Sequence, residues 1–207
     1  MVLEKCRYGD LFDFLKVNGA VRDTKLLKFL FEQVCHGLNA LHTRANLCHL
    51  DIKLDNVLVG ENGTLKLCDF GLVQPVDADL HMGWGTDTYM APEVLRKSSL
   101  SETYKGVSAD IFSMGVLLFT LHLGMPPFQT SAITDRNYSL FCRNPMAFWR
   151  SHPAIKTNGV VVDEDLKELL TAMLALDVSA RPKSVAEVIQ HTFFTKQVYL
   201  DDEKTNL

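Results

Sequence analysis

The chain has 207 residues, of which 47% are hydrophobic, and it carries a formal net charge of -4. This length and composition suffice for one domain with a buried core, and the weakly acidic balance gives no reason to expect nucleic acid or an anionic membrane as the main partner. The five scattered cysteines contain no CxxC pair, and no apolar run approaches the ~20 residues of a membrane span, so we predict a soluble cytoplasmic or nuclear protein with reduced thiols.

The first half of the chain predicts a long helix followed by a hairpin. From Thr24 to His42, apolar residues recur three or four positions apart, which places them on one face of a helix. Two apolar runs, Val57–Val59 and Thr64–Cys68, flank the turn residues Glu61, Asn62 and Gly63. Such an arrangement is typical of a β-hairpin.

The second half predicts a buried helix and two amphipathic ones. Residues Ser108 to Leu123 are apolar almost all round, which indicates a helix at the centre of the domain, and Gly124 and the following prolines end it. Further helices are predicted over Asp163–Leu176 and Ser184–Gln190. The polar stretch Leu200–Leu207 is expected to fray.

Three short motifs follow one another between these elements: HLDIKLDN at His49–Asn56, DFG at Asp69–Gly71 and APE at Ala91–Glu93. A lone Asp or Asn in a loop is usually a turn former. The ordered set favours phosphoryl transfer, in which carboxylates and a carboxamide hold magnesium while another carboxylate orients the attacking hydroxyl.

These motifs resemble the eukaryotic protein kinase superfamily, of the serine/threonine type and with a calcium/calmodulin-dependent-kinase-like C-terminal lobe. The resemblance implies an α+β, protein kinase-like fold, in which a mainly helical lobe carries a small β-hairpin at the catalytic cleft. It divides the chain into a hinge and remnant of the N-terminal lobe at residues 1–9, a C-terminal lobe at 10–195 and a polar tail at 196–207. The implied small-molecule ligands are ATP and Mg²⁺.

The resemblance also implies the catalytic roles. Asp51 is the base or orienting carboxylate, and Asn56 and Asp69 are the magnesium ligands. Lys53 is a cation near the transferred phosphate, as in serine/threonine kinases. Thr86, in the activation segment, is placed to bond Asp51 and Lys53 beside a Ser or Thr of a protein or peptide substrate.

Seven residues are implied as the ATP site: Leu3, Glu4, Cys6, Asp10, Asp55, Leu58 and Asp69. Leu3 is the gatekeeper, while the backbone of Glu4 and Cys6 reads adenine. Taken as a bare pattern, without the motifs downstream, this segment indicates an ordinary strand edge instead. Asp10 is placed to reach the ribose, and Leu58 to press on the adenine. The alternative for Asp10 and Asp55 is a solvated surface acid. Leu58 is also interpretable as a core strand residue, which is compatible with the same position.

Four residues are implied to have structural roles: His49, Glu93, Asp110 and Arg181. Glu93 and Arg181 are expected to form a buried ion pair, which acts as a lock because removal of one partner strands a charge. Asp110 is expected to hold the catalytic-loop backbone. A Trp common two residues after that Asp is Phe112 here.

The pattern departs from the family at Leu50, where an Arg normally stands between the His and the Asp. No guanidinium is there to pair with a phosphate, so phosphorylation of Thr86 or Thr88 is not expected to be an on-switch. We predict that the segment from Asp69 to Glu93 takes its working shape without modification.

The larger departure is that the chain offers no Gly-rich loop, strand Lys or helix Glu before the hinge. These 207 residues are therefore expected to have weak catalysis or none by themselves. Two interpretations follow. The chain is a partial serine/threonine protein kinase that transfers the γ-phosphate of ATP, or it is a non-catalytic, pseudokinase-like docking module. In the first interpretation the N-terminal lobe is expected to be missing from the given sequence. A partner that supplies or replaces that lobe is a further expectation.

Overall fold

The computed structural model describes residues 4–81, 83–95, 102–157 and 159–196. The predicted gatekeeper Leu3 and the predicted frayed stretch from residue 200 to 207 lie outside these ranges. The described residues form the following α-helices: α1 Leu11–Asn18, α2 Thr24–Arg44, α3 Pro92–Leu95, α4 Gly106–Leu123, α5 Arg136–Arg143, α6 Pro145–Ser151, α7 Pro153–Lys156, α8 Glu164–Met173, α9 Val185–Ile189 and α10 Thr192–Thr195.

Within the described ranges, four short strands form two antiparallel pairs. They are β1 Leu47–Cys48, β2 Val57–Val59, β3 Leu65–Leu67 and β4 Gln74–Pro75. β2 pairs with β3 in the predicted hairpin, and Asn62, with φ 59°, lies in the turn. β1 pairs with β4 and so brings the chain beyond the DFG motif back to the start of the catalytic loop. Helices with a small hairpin make up the α+β, kinase-like fold that was predicted.

α4 is the central helix of the core. All but two of its residues are buried, and it packs against α2 on one side and α8 on another. Gly115 sets the approach to α8, because a Cβ atom there would lie 3.0 Å from the Met173 Cβ. By length and composition α4 would suffice to cross a membrane, but it is mostly buried inside the domain.

Local capping chemistry begins most of the other helices. Asp10, Asp23, Asp135, Asn144, Asp163 and Ser184 each accept a hydrogen bond from a backbone N–H in the first turn of the helix that follows. Such caps satisfy N–H groups that have no partner within the helix. α2 then lays one buried apolar face against α4, α9 and β3, and thereby supports the hairpin and the catalytic loop.

Candidate active site

Asp110, fully buried on α4, holds the catalytic loop in place. Its carboxylate accepts hydrogen bonds from the backbone N–H groups of His49 and Leu50, each at 2.7 Å. The Nε2 of His42, on α2, donates to the same carboxylate at 2.8 Å. One buried acid thus fixes the loop to two core helices, and the contact expected of Asp110 is present.

The loop backbone is strained at Leu50, which lies at φ 66° in the left-handed region that side-chain-bearing residues rarely adopt. Its N–H is bonded to Asp110, and its carbonyl faces Gly85 of the activation segment. A Cβ atom at Gly85, where φ is 116°, would lie 2.7 Å from the Leu50 oxygen. Only glycine allows the activation segment to approach the catalytic loop this closely.

Asp51 lies at the centre of a cluster of hydrogen bonds. Its carboxylate accepts from Lys53 Nζ at 2.7 Å, from Thr86 Oγ1 at 2.9 Å and from Asn56 Nδ2 at 3.0 Å, while Lys53 Nζ also donates to Thr86 Oγ1 at 3.0 Å. Burial would by itself raise the pKa of Asp51, but these three donors outweigh it and the pKa is lowered. Asp51 therefore stays ionised at neutral pH, where it can accept a proton.

Asp69 is positioned by the residue before it. The Cys68 N–H donates to the Asn56 carbonyl at 3.0 Å, and the Cys68 carbonyl accepts from His49 Nε2 at 2.9 Å. The ring of Phe70 lies 5.4 Å from that of His49. The N–H and the carbonyl of Cys68 are thus both hydrogen-bonded to the catalytic loop. The exposed carboxylate of the next residue, Asp69, therefore lies beside that loop.

A pair of oxygen ligands is available for a divalent cation at this place. The side-chain nitrogen of Asn56 donates to Asp51. Within the described part of the chain, no hydrogen bond uses the side-chain oxygen of Asn56. Asp69 uses one carboxylate oxygen for a long bond of 3.3 Å from the Gly71 N–H. Carboxylate and carbonyl oxygens are the ligands that Mg²⁺ prefers, so the residues fit the ion implied by the sequence.

The activation segment is tied down at several points. Leu80 and Tyr104 form an isolated antiparallel bridge with two backbone hydrogen bonds of 3.1 and 3.0 Å, and both side chains are buried. Nearby, Lys105 pairs with Asp79 at 2.7 Å. Further along, Ser113 Oγ of α4 donates to the Tyr89 carbonyl at 2.8 Å. No phosphate is needed for any of these contacts.

Glu93 and Arg181 form the expected ion pair. Two parallel bonds of 2.7 and 2.8 Å join the guanidinium to the carboxylate, and Arg181 also donates to the carbonyls of Ala175 and Ser108. Its guanidinium carbon lies 5.0 Å from the centre of the Phe112 ring. Phe112 thus supplies an aromatic face to the buried cation.

The hinge segment runs along β2. The N–H of Val59 donates to the Gly9 carbonyl at 2.9 Å, and Asp10 forms an isolated bridge with half-buried Leu58. One carboxylate oxygen of Asp10 accepts a hydrogen bond from the Asp13 N–H and so caps α1. The Glu4 side chain is exposed and paired with Lys66.

Two further predicted ATP-site residues differ in exposure. Cys6 is half-buried, whereas the Asp55 carboxylate is exposed. The hinge thus lies beside Leu58, as the contacts of Gly9 and Asp10 show. The ATP-binding roles assigned to the hinge residues and to Asp55 remain predictions.

Four residues of the site were missed by sequence reasoning: His42, Gly85, Leu80 and Tyr104. His42 is a polar residue on the otherwise apolar buried face of α2, which is a signal that it has a buried partner. Gly85 is a second glycine two positions after Gly83, and a glycine in such a segment is a signal of a close backbone approach. Leu80 and Tyr104 carry no such signal, because their pairing joins segments 24 residues apart.

The fold and site define the class of protein: the chain belongs to the protein kinase family, whose domain model matches residues 1–194. The chain is 36% identical over 150 residues to the serine/threonine-protein kinase CHK1 of Saccharomyces cerevisiae, covering 70% of this chain and 28% of that protein. It is 33% identical over 196 residues to the probable serine/threonine-protein kinase CCRP1 of Zea mays, covering 93% of this chain and 29% of that protein.

A third relative is the probable cell cycle serine/threonine-protein kinase CDC5 homolog of Encephalitozoon cuniculi, 31% identical over 205 residues, which cover 95% of this chain and 39% of that protein. The chain thus spans well under half the length of these relatives. Protein kinases as a family use ATP and a divalent metal ion and act on proteins.

Proposed function

We propose that the chain is the catalytic C-terminal lobe of a serine/threonine protein kinase that transfers the γ-phosphate of ATP to a Ser or Thr of a protein substrate. The observation that carries the proposal is the cluster in which Lys53, Thr86 and Asn56 all donate to the ionised Asp51. A chain without phosphoryl-transfer chemistry has no physical need of a lysine, a hydroxyl and a carboxamide converging on one carboxylate.

In the proposed reaction Asp51 orients the substrate hydroxyl and accepts its proton. A bond forms between the hydroxyl oxygen and the γ-phosphorus, while the bond from that phosphorus to the β–γ bridging oxygen breaks and ADP leaves. Lys53 stabilises the developing negative charge. Asn56 and Asp69 would hold Mg²⁺, which neutralises phosphate charge when it is bound.

An apolar face next to Asp69 supports a second element of the proposal, a further lobe or partner that covers the cleft. Phe70 is 44% exposed and, with Gly37, Leu41 and Leu67, lines an open groove of about 460 Å³. Exposed apolar surface next to a proposed magnesium ligand is a candidate contact for such a lobe or partner. Such a cover would lie beside Asp69, and transfer by the 207 residues without it is expected to be slow. A cytoplasmic or nuclear location belongs to the same proposal.

Two measurements on the full chain test the proposed function. Calorimetry should detect ATP binding that requires magnesium, is lost in Asp69→Asn and persists in Asp51→Asn. Transfer from labelled ATP to a Ser/Thr peptide library, at whatever rate, should fall at least about 10²-fold in Asp51→Asn, because that variant removes the base.

The matched control is Asp87→Asn, which removes an exposed carboxylate of the activation segment outside the cluster. Its ATP binding and transfer should stay within about twofold of the parent chain. Magnesium-dependent binding with no transfer, even when the chain is supplied with an N-terminal lobe of a related kinase, would support the docking-module interpretation instead. An absence of any binding would contradict a nucleotide site in this chain.

A further inference from the structure

A groove lies between α6 and α8 and shares no residue with the candidate active site. It encloses about 780 Å³, within the ordinary range for ligand sites. Met146 and Trp149 of α6 form one wall, and Ala172 of α8 with Ala175 beyond it forms the other. Because the alanines leave space opposite two large apolar side chains, the groove has room for an inserted side chain.

The floor of the groove is fixed and its rim is adaptable. Trp149 Nε1 donates to Thr171 Oγ1 at 3.2 Å, which joins α6 to α8, and Trp149 is only 7% exposed. Met146, by contrast, is 62% exposed. A flexible thioether at the edge of a rigid aromatic floor suits the capture of an apolar side chain from another molecule.

The surface next to Met146 is basic. Between Asp135 and Asp163 the sequence contains no Asp or Glu, although the whole chain has 25 of them among 207 residues. The same stretch carries four exposed cations: Arg136, Arg143, Arg150 and Lys156. In the described part of the chain, none of the four forms an ion pair. A chain with net charge -4 therefore presents a local, unneutralised positive surface.

The four cations lie on three helices, α5, α6 and α7, that pack in series beside the groove. Arg136 and Arg143 are seven residues apart on α5 and so lie on the same side of that helix. α5 packs against α6, and Arg150 of α6 lines the groove. The opposite wall carries Lys167 paired with Glu164 at 2.6 Å, and the exposed Glu168, so the positive potential lies on the α5–α7 side.

We propose that this surface binds an acidic protein segment that inserts one large apolar or aromatic side chain into the groove. Its Asp and Glu residues then lie along the cations of α5, α6 and α7. Charge complementarity decides the occupant, since an apolar groove alone would accept many ligands and the unpaired cations select a negative one. This binding needs no catalysis and stands whether or not the chain transfers phosphate.

The test begins with a display library of random dodecapeptides selected on the full chain. We expect the selected sequences to carry an aromatic or large aliphatic residue flanked by Asp and Glu. One selected peptide is then labelled with fluorescein, and its binding is followed by anisotropy. Binding should weaken as salt rises from about 50 to about 300 mM, because exposed charges are screened.

Three variants of the full chain locate the binding. Met146→Asp and Arg150→Glu should each weaken binding about tenfold or more, whereas Lys25→Glu, which makes the same charge change on the exposed surface of α2, should change it less than about twofold. Circular dichroism and the urea midpoint should show all three variants folded, since the three side chains are exposed or at the rim.

Three results would overturn the proposal. The first is selected peptides without acidic residues, and the second is equal weakening by Lys25→Glu and Arg150→Glu. The third is a dimer of the parent chain in sedimentation that Met146→Asp converts to a monomer, which would make a second copy of the chain the occupant of the groove.

Discussion

Arg181 shows what one residue contributes to this fold. It is only 2% exposed, and its guanidinium joins Glu93 at the end of the activation segment, Ser108 of α4 and Ala175 after α8. Lysine keeps the charge but cannot reproduce the planar fork. We expect Arg181→Lys to lower the free energy of unfolding by about 3 kcal/mol, because Glu93 and two carbonyls lose their donors.

Urea denaturation measures this change, with Lys183→Arg, two positions away and exposed, as the control. The control should lie within about 0.5 kcal/mol of the parent chain. An equally small effect of Arg181→Lys would show that the charge alone, rather than the bidentate geometry, stabilises the junction.

Because the His152 side chain is buried, we expect the stability of the protein to depend on pH. Burial lowers its pKa below the ordinary value of 6.5, although hydrogen bonding to the Pro127 carbonyl opposes the shift. The unfolded chain then binds the proton more readily than the folded chain. The stabilisation is complete above pH 6.5 and is lost as the pH falls through that value toward the folded pKa. His122 is buried with a lowered pKa and acts in the same direction.

The free energy of unfolding, measured in urea at about pH 7.5 and about pH 5.5, should therefore be smaller at the lower pH. His152→Asn should reduce this difference, because Asn still caps α7 with its side-chain oxygen but does not titrate. A variant with an unchanged pH dependence would exclude His152 as a source of it.

At the scale of elements, the Leu80–Tyr104 bridge explains how the activation segment can hold its shape with Leu50 in place of an arginine. The Lys105–Asp79 pair beside it is more than half exposed, so water screens the attraction and the pair contributes little to stability. Leu80 is 6% exposed and Tyr104 is 5% exposed, so the burial of these two side chains stabilises the segment more than the ion pair does. We expect Leu80→Ala to speed amide hydrogen exchange over residues 84–90 at least about tenfold, and Lys105→Met to change it only slightly.

Mass spectrometry of the exchanged chain gives both values, and peptides from α4 serve as an internal reference that should stay protected. Faster exchange in Lys105→Met than in Leu80→Ala would show that charge, and not burial, anchors the segment. Treatment of the parent chain with a phosphatase should leave the exchange of residues 84–90 unchanged, as expected for a segment held without modification.

The helices differ in how far local sequence predicts them. The helix predicted from Thr24 to His42 runs from Thr24 to Arg44, and the buried helix predicted from Ser108 starts two residues earlier at Gly106. α5, α6 and α7 were not predicted. α5 has eight residues, α6 has seven and α7 has four, and both α6 and α7 begin at a proline. Helices this short do not contain enough turns to show a repeating pattern of apolar residues.

At the scale of the whole molecule, the buried apolar residues form one continuous core from α1 to α10. We therefore expect a single cooperative unfolding transition. In a Trp84→Phe variant the remaining Trp149 reports on α6 and α8, and its fluorescence should change at the same urea concentration as the far-ultraviolet circular dichroism. A fluorescence change that precedes the loss of helix would show that the groove region unfolds as a separate unit.

The sequence by itself determined the family, the two long helices, the hairpin and the candidate catalytic residues, because motif spacing and apolar period are properties of neighbouring residues. The expected contacts of Asp51, Asp110 and Arg181 followed from the family resemblance rather than from any local pattern. Only the tertiary structure decided what depends on distant segments meeting: the left-handed Leu50 held between Asp110 and Gly85, the Leu80–Tyr104 bridge, and the groove between α6 and α8. These features arise because packing around α4 brings together backbone and side chains whose separation along the chain carries no periodic signal.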